Sequence, residues 1–304
     1  MAASATGSAP ARATWRDYLT LTKPRVISLL LLTTVGAMFI AAEGYPGTWV
    51  LIGMLLGGYM SAGAAGVYNM VYDRDIDGRM RRTAMRPTVT NVVPTGHALV
   101  FALLLTFASF ALIWAAGNLL AALLSWAGIA FYVIIYTIWL KRTTWQNIVI
   151  GGAAGAIPPL VGWAAVTGEL SLLAWLLFTL IFFWTPVHFW ALALMIQHDY
   201  EEVGIPMAPS VIGERATVLQ MVMYALLTMM LTVIPFALAE FSWAYLLAAL
   251  ALNVVLALRI ARLFLVAQRG VPITKQTALP VYKYSMLYLA LLFLSMALDR
   301  SLIA

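Results

Sequence analysis

The stretch YNMVYDRDIDGRMRRTAMRP (residues 68–87) holds three aspartates and five arginines in twenty residues, in a chain of which only 10% is charged. Asn69, Asp73 and Asp77 recur there at i, i+4 and i+8. On a helix this spacing places their side chains within about 80° of one another along one face. Asp75 falls off that face and reads as a bystander. Like-charged groups at i, i+4 repel by about 0.2–0.5 kcal/mol, which a plain solvated helix end leaves unexplained. A hard divalent cation would offset the repulsion. Mg²⁺ takes one or two carboxylates and fills its other positions with water and substrate phosphate oxygens. The stripe therefore reads as a Mg²⁺ and diphosphate site. Arg79, Arg82 and Arg86 follow directly, and Arg offers forked contacts to phosphate oxygens. Two readings stand for these arginines, diphosphate partners and anchors at a membrane surface.

A second acidic rim, Asp199 with Glu201 and Glu202, ends the stretch FFWTPVHFWALALMIQHDYEE (residues 182–202). His188 precedes Asp199 by eleven residues. On a continuous helix both side chains share a face, with His188 about 16 Å deeper. An ionisable residue at that depth is a functional candidate; the alternative is a histidine hydrogen-bonded to a neighbouring helix. His97 and His198 sit at the rim, in a solvated role. Trp184, Phe189, Trp190, Tyr132 and Tyr136 supply aromatic faces. Most read as packing or interfacial residues, and a minority facing a cavity would stabilise a carbocation. Lys141 and Arg142, and likewise Lys23 and Arg25, fall on the same side as both acidic rims and are either diphosphate partners or anchors.

These residues must be positioned by membrane helices. The chain of 304 residues is 63% hydrophobic with no cysteine, and its mean hydropathy is +0.92. Soluble domains hold about 45–50% apolar residues. Disulfide scaffolds and thiol chemistry are excluded. A helix needs about 20 mostly apolar residues to cross a bilayer. Nine such segments are expected, at about 24–43, 48–72, 97–116, 118–139, 145–168, 172–196, 217–239, 243–265 and 282–303. The fold class is all-α, a single nine-helix bundle over 24–304 behind a flexible arm over 1–23. In NIVIGGAAGAIPPLVGW (residues 147–163) the Pro158–Pro159 pair is expected to break or kink the fifth helix.

By helix parity, 17 of the 18 Lys and Arg residues fall on one side, from Arg12, Arg16, Lys23 and Arg25 in the arm to Lys275 and Lys283 before the last span. The opposite loops offer Glu43, Glu169, Glu240, Asp299 and the lone Arg300. The basic side is the cytoplasmic one, so the N-terminus is cytoplasmic. The formal charge of +6 is then mainly a topology signal, and no nucleic-acid partner is expected. A cation transporter is disfavoured, because the carboxylates cluster at one rim with no acidic residue near mid-membrane.

The Asn69-x-x-x-Asp73-x-x-x-Asp77 motif resembles the first aspartate-rich motif of the UbiA superfamily of intramembrane prenyltransferases. LTKPRV (21–26), DRDIDGRMRRTAMRP (73–87), LKRTTWQNIVIGG (140–152), WTPVHFWALAL (184–194) and DYEEVGIPM (199–207) narrow the resemblance to the haem-farnesylating branch, the protohaem IX farnesyltransferases. Two departures stand out. Val203 occupies the place where the wider superfamily has the second Asp of a DxxxD, and Val187 replaces a proline before His188.

The resemblance implies farnesyl diphosphate and haem B as substrates and Mg²⁺ as cofactor. It implies Asn69, Asp73, Asp77 and Asp199 as metal and catalytic residues, and Arg79, Arg82, Arg86, Lys141 and Arg142 around the diphosphate. His188, Lys23 and Arg25 become candidate haem contacts. The implied product is haem O, handed to a downstream haem A synthase or terminal oxidase assembly. The expected setting is a bacterial inner membrane, with the site opening to the cytoplasmic face. A prenyltransferase of the same superfamily acting on a quinone precursor is the rival reading.

Overall fold

The computed structural model describes residues 13–302. The first twelve residues of the expected arm, Arg12 among them, lie outside the described residues. Of the remainder of the arm, Trp15–Leu21 forms a short helix. Thr14 and Asp17 close a capping box at its start, with the Thr14 amide and hydroxyl donating to Asp17 Oδ2 at 2.8 and 2.7 Å. Leu21 and Thr22 are buried against the bundle, so this part of the arm is a docked element.

Among the described residues, nine helices are long and apolar enough to cross a membrane. They are α1 (Pro24–Ala42), α2 (Thr48–Tyr72), α3 (Thr95–Ala116), α4 (Leu119–Thr143), α5 (Asn147–Thr167), α6 (Leu172–Glu202), α7 (Glu214–Ala237), α8 (Trp243–Gln268) and α9 (Lys275–Leu302). Each expected segment is present. The largest shifts are at α6, which runs past residue 196, and at α9, which begins at Lys275. Both extensions carry polar residues beyond the apolar band, where each added residue still gains a backbone hydrogen bond although hydropathy no longer marks it. Polar side chains cap three starts: Asn118 Oδ1 accepts from Ala121 N, Ser171 Oγ from Ala174 N and Ser242 Oγ from Ala244 N.

Helices α1 to α5 close a ring, because α5 returns to pack on α1. Helices α6 to α9 continue from α5, and α9 packs against both α6 and α1. Spans α5 and α6 are the most buried, and the largest apolar cluster centres on them through Leu160, Trp163, Leu177, Leu180, Trp184 and Trp190. Of the break or kink expected at Pro158–Pro159, the break is corrected: α5 runs unbroken from Asn147 to Thr167 through both prolines. Its neighbours clamp it on either side of the pair. A Cβ at Gly151 would lie 2.3 Å from the Tyr136 ring, one at Gly152 2.8 Å from Thr185 and one at Gly162 2.2 Å from the Thr34 carbonyl oxygen. Such close neighbours hold a proline-containing membrane helix together.

Charge is sorted between the two ends of the bundle. At one end Arg300 pairs with Glu43 and, at 3.1 Å, with Glu240, while Asp299 accepts the Ser242 amide at 2.8 Å. This clasp ties the end of α1, the α7–α8 turn and the end of α9. The carboxylate stripe and most of the cations lie at the other end.

Candidate active site

Helix α2 stops where Asp73 leaves helical geometry (φ −83°, ψ 5°), and Arg74–Asp77 forms one further turn. Asn69, Asp73 and Asp77 are all buried. The Asn69 amide group donates to Asp73 Oδ2 at 2.7 Å and to Thr137 Oγ1 at 3.2 Å, and its oxygen accepts from Lys23 Nζ at 2.6 Å. Lys141 pairs with Asp73 Oδ2, Arg86 pairs with Asp77, and Arg142 reaches to 3.5 Å from Asp73 Oδ1. The stripe thus gathers four cations from three segments: Lys23 and the Lys141–Arg142 pair around Asn69 and Asp73, and Arg86 on Asp77.

Three local structures aim those cations. Lys23 adopts a left-handed backbone (φ 57°, ψ 58°) immediately before Pro24. That conformation costs a non-glycine residue of order 1 kcal/mol or more, and such strain persists where the surroundings over-determine it. Desolvation in this cluster, with Arg86 and Lys141 close by, pushes the Lys23 ammonium down to about 7. The second local structure is the second half of α4, Phe131–Leu140, which winds as a π-helix. There the Thr137 hydroxyl donates to the Tyr132 carbonyl at 2.9 Å, and the run delivers Lys141 to Asp73. π-Helical turns inside membrane and soluble helices are often found at functional sites.

The third concerns Asp75, whose expected role as a bystander is corrected. Both its oxygens accept from Arg142 at 2.8 Å, and this pairing holds its carboxyl below the ordinary carboxylate range. Arg142 also lies over the Tyr72 ring at 4.7 Å. Asp75 therefore orients the arginine that approaches Asp73. Its exposed position off the stripe hid this, because its partner is 67 residues away in sequence.

The remaining candidates are placed differently. Arg79 donates to the Glu202 carbonyl at 2.7 Å, tying the loop after α2 to the end of α6. Arg82 and Arg25 are exposed. Asp199 is half-buried. Among the described residues no three His, Cys, Asp or Glu side chains are gathered at metal-binding distance, so Asp73, Asp77 and Asp199 do not converge on one point. The expected shared face of His188 and Asp199 is also corrected. Ile196 between them is non-helical (φ −129°, ψ 23°), so the helical register does not carry across. Tyr132 and Tyr200 lie within electrostatic reach of Asp73 and Asp77, and Tyr132 packs on Tyr136 with ring centroids 5.3 Å apart.

The donor set fits Mg²⁺. Asp73 Oδ1 is buried with no hydrogen-bond partner, its nearest cation being Arg142 at 3.5 Å, which leaves the oxygen able to take a hard cation. Few convergent carboxylates also suit an ion that takes one or two of them and completes its shell with water and phosphate oxygens.

Comparison with known proteins agrees with this geometry. A protoheme IX farnesyltransferase of Thermus thermophilus is 61% identical over 289 residues, covering 95% of this chain and 46% of that protein. The chain thus spans about half the length of that relative. A Deinococcus radiodurans protein of the same description is 55% identical over 298 residues, covering 96% of this chain and 95% of that one. Among solved structures, a digeranylgeranylglyceryl phosphate synthase has TM-score 0.74 at 16% identity, over 94% of this chain and 98% of that one. A UbiA homologue from Archaeoglobus fulgidus bound to GPP and Mg²⁺ has TM-score 0.67 at 17% identity, over 92% and 99%. The bundle, its buried Asn-Asp-Asp network and the match of residues 29–297 to the UbiA prenyltransferase family together make this chain a multi-pass membrane protein that belongs to that family.

Proposed function

We propose that the protein transfers the farnesyl group of farnesyl diphosphate to a vinyl group of haem B, with addition of water, giving haem O and diphosphate. The observation that carries this reading is the 55% identity, over nearly the full length of both chains, to the Deinococcus radiodurans protoheme IX farnesyltransferase. In this reading Mg²⁺ would be held from the Asn69, Asp73 and Asp77 stripe, and Asp199, which does not meet Asp73 and Asp77 at one point, would contribute from the second rim. The ion, when bound, offsets charge on the diphosphate.

The chain's own groups do the rest. Arg79, Arg82, Arg86, Lys141 and Arg142 take the diphosphate oxygens and stabilise the charge that grows there as the allylic C–O bond breaks. Lys23, seated on Asn69, belongs with this diphosphate group rather than with the haem. Arg25, exposed at the same end, is left to meet a haem propionate. Tyr132, Tyr136 and Tyr200 turn ring faces toward the farnesyl cation. The vinyl π electrons form the new C–C bond, and the resulting cation is captured by water with loss of a proton.

Purified protein incubated with farnesyl diphosphate, haem B and Mg²⁺ is expected to raise the pigment mass by one farnesyl group plus one hydroxyl. No gain with haem, together with prenylation of a quinone precursor, would sink the assignment. The site is proposed to open to the cytoplasm of a bacterial cell, with the product passing to a haem A synthase or terminal oxidase assembly. Because the chain has no cysteine, exposed Glu169 and Thr274 report on orientation. Glu169→Cys should react with a membrane-impermeant thiol reagent on intact spheroplasts, and Thr274→Cys only after permeabilisation. The reverse pattern inverts the topology.

A further inference from the structure

His188 lies midway along α6 and is buried. Its ring is sandwiched between Trp184 and Tyr282, with centroids 4.7 Å away on each side and interplanar angles of 12° and 22°. The edge of Phe189 closes a third side at 5.2 Å. The ring plane is therefore held, and what its two nitrogens do is decided by their hydrogen bonds. Nδ1 lies 2.8 Å from Ser285 Oγ on α9. That hydroxyl donates to the Tyr282 carbonyl, 2.8 Å away in the preceding turn of α9. Ser285 is fully buried, and its carbonyl accepts the Trp184 indole N–H at 3.0 Å, so the residue is locked at both ends.

A serine hydroxyl has one donor and two acceptor positions. A proton given to the Tyr282 carbonyl leaves Ser285 Oγ to accept from the imidazole, which places the ring hydrogen on Nδ1. We propose that Ser285 holds His188 in the Nδ1–H tautomer and so presents Nε2, with its lone pair free, as an axial ligand for the iron of a metalloporphyrin. Nε2 has no protein hydrogen-bond partner among the described residues, and it is not among the buried polar atoms sealed from the interior space. A metal-ligating imidazole that donates its other N–H to a fixed oxygen is the usual arrangement, and such partners set tautomer, orientation and basicity. Ser285 is on this account a positioning residue that acts through His188. The iron half rests on the proposed haem substrate; the tautomer half does not.

The test uses the full chain in micelles. Of its three histidines, His97 and His198 are exposed, so a His97→Gln, His198→Gln background leaves His188 as the single ¹⁵N-histidine signal. Long-range ¹H–¹⁵N spectra should show a protonated Nδ1 and a bare Nε2. Ser285→Ala should shift the population toward Nε2–H, and Ser285→Thr should return it. A wild-type Nε2–H pattern, or one unmoved by Ser285→Ala, overturns the tautomer assignment.

With haem B added, the wild type should show a histidine-ligated optical and EPR signature that is lost in His188→Ala. In Ser285→Ala haem affinity should fall about 10-fold, within the span seen when such supporting partners are removed, and Ser285→Thr should recover it. A haem spectrum unchanged by His188→Ala in an enzyme that still farnesylates haem overturns the iron bond alone. The same spectrum in a protein that farnesylates no haem overturns the proposed substrate as well, while the tautomer spectra still stand or fall separately.

Discussion

Asp73→Asn is expected to lower turnover by about 10²–10³-fold or more, the range for removal of one preorganised electrostatic group, and also to weaken the fold. The two losses have different origins. Asp73 is fully buried and pairs with Lys141, whose side chain is only 11% exposed. Removing one member of a buried pair leaves an uncompensated charge and costs about 3–5 kcal/mol. Thermal unfolding in micelles should therefore fall for Asp73→Asn and recover in Asp73→Asn with Lys141→Met, where neither charge is left alone. Turnover should stay low in both. Asp77→Asn should lose activity in the same way, because Arg86 fills at Asp77 the place that Lys141 fills at Asp73. Normal turnover by Asp73→Asn and Asp77→Asn at ordinary Mg²⁺ would remove the diphosphate clamp from this site.

Gly162→Ala should be among the most destabilising of the small substitutions in the bundle. The added Cβ would stand 2.2 Å from the backbone oxygen of Thr34 on α1. A backbone atom cannot rotate away, so α1 and α5 must separate. Overpacking of a tight contact typically costs about 1–3 kcal/mol and sometimes more, and this case belongs at the upper end. The comparison that isolates the cause lies one and a half to two turns away on the same helix. Gly155 has no atom within 4 Å of an added Cβ, so Gly155→Ala should stabilise by about 0.5–1 kcal/mol through helix propensity alone. Opposite signs in paired unfolding measurements are the expected result. A common sign for both would mean that α1 and α5 do not meet at this glycine.

Hydropathy and charge parity were enough to place nine spans and to sort the basic residues, because lipid imposes one length and one solvent on every helix. The stripe Asn69, Asp73 and Asp77 was legible for a similar reason. All three residues lie within nine positions, and helical spacing alone puts them on one face. Register arguments failed where the helix is not regular. Eleven-residue spacing predicts a shared face for His188 and Asp199, and the non-helical Ile196 uncouples them. The spacing of Pro158–Pro159 predicts a break or kink, and the packing of α1, α4 and α6 around α5 keeps the helix unbroken.

What the sequence by itself determined is the set of membrane helices, the end of the bundle that carries the charge, and the residue types of the proposed metal and diphosphate site. What only the tertiary structure decided is which cation meets which carboxylate. Lys141 on Asp73, Arg86 on Asp77, Arg142 on Asp75 and Lys23 on Asn69 are contacts between segments up to 68 residues apart. The same holds for the hydroxyl of Ser285, 97 residues from the imidazole it orients. Local spacing specifies faces, because the helix repeats every 3.6 residues. Partners across the bundle are chosen by packing, and no local pattern in the chain encodes them.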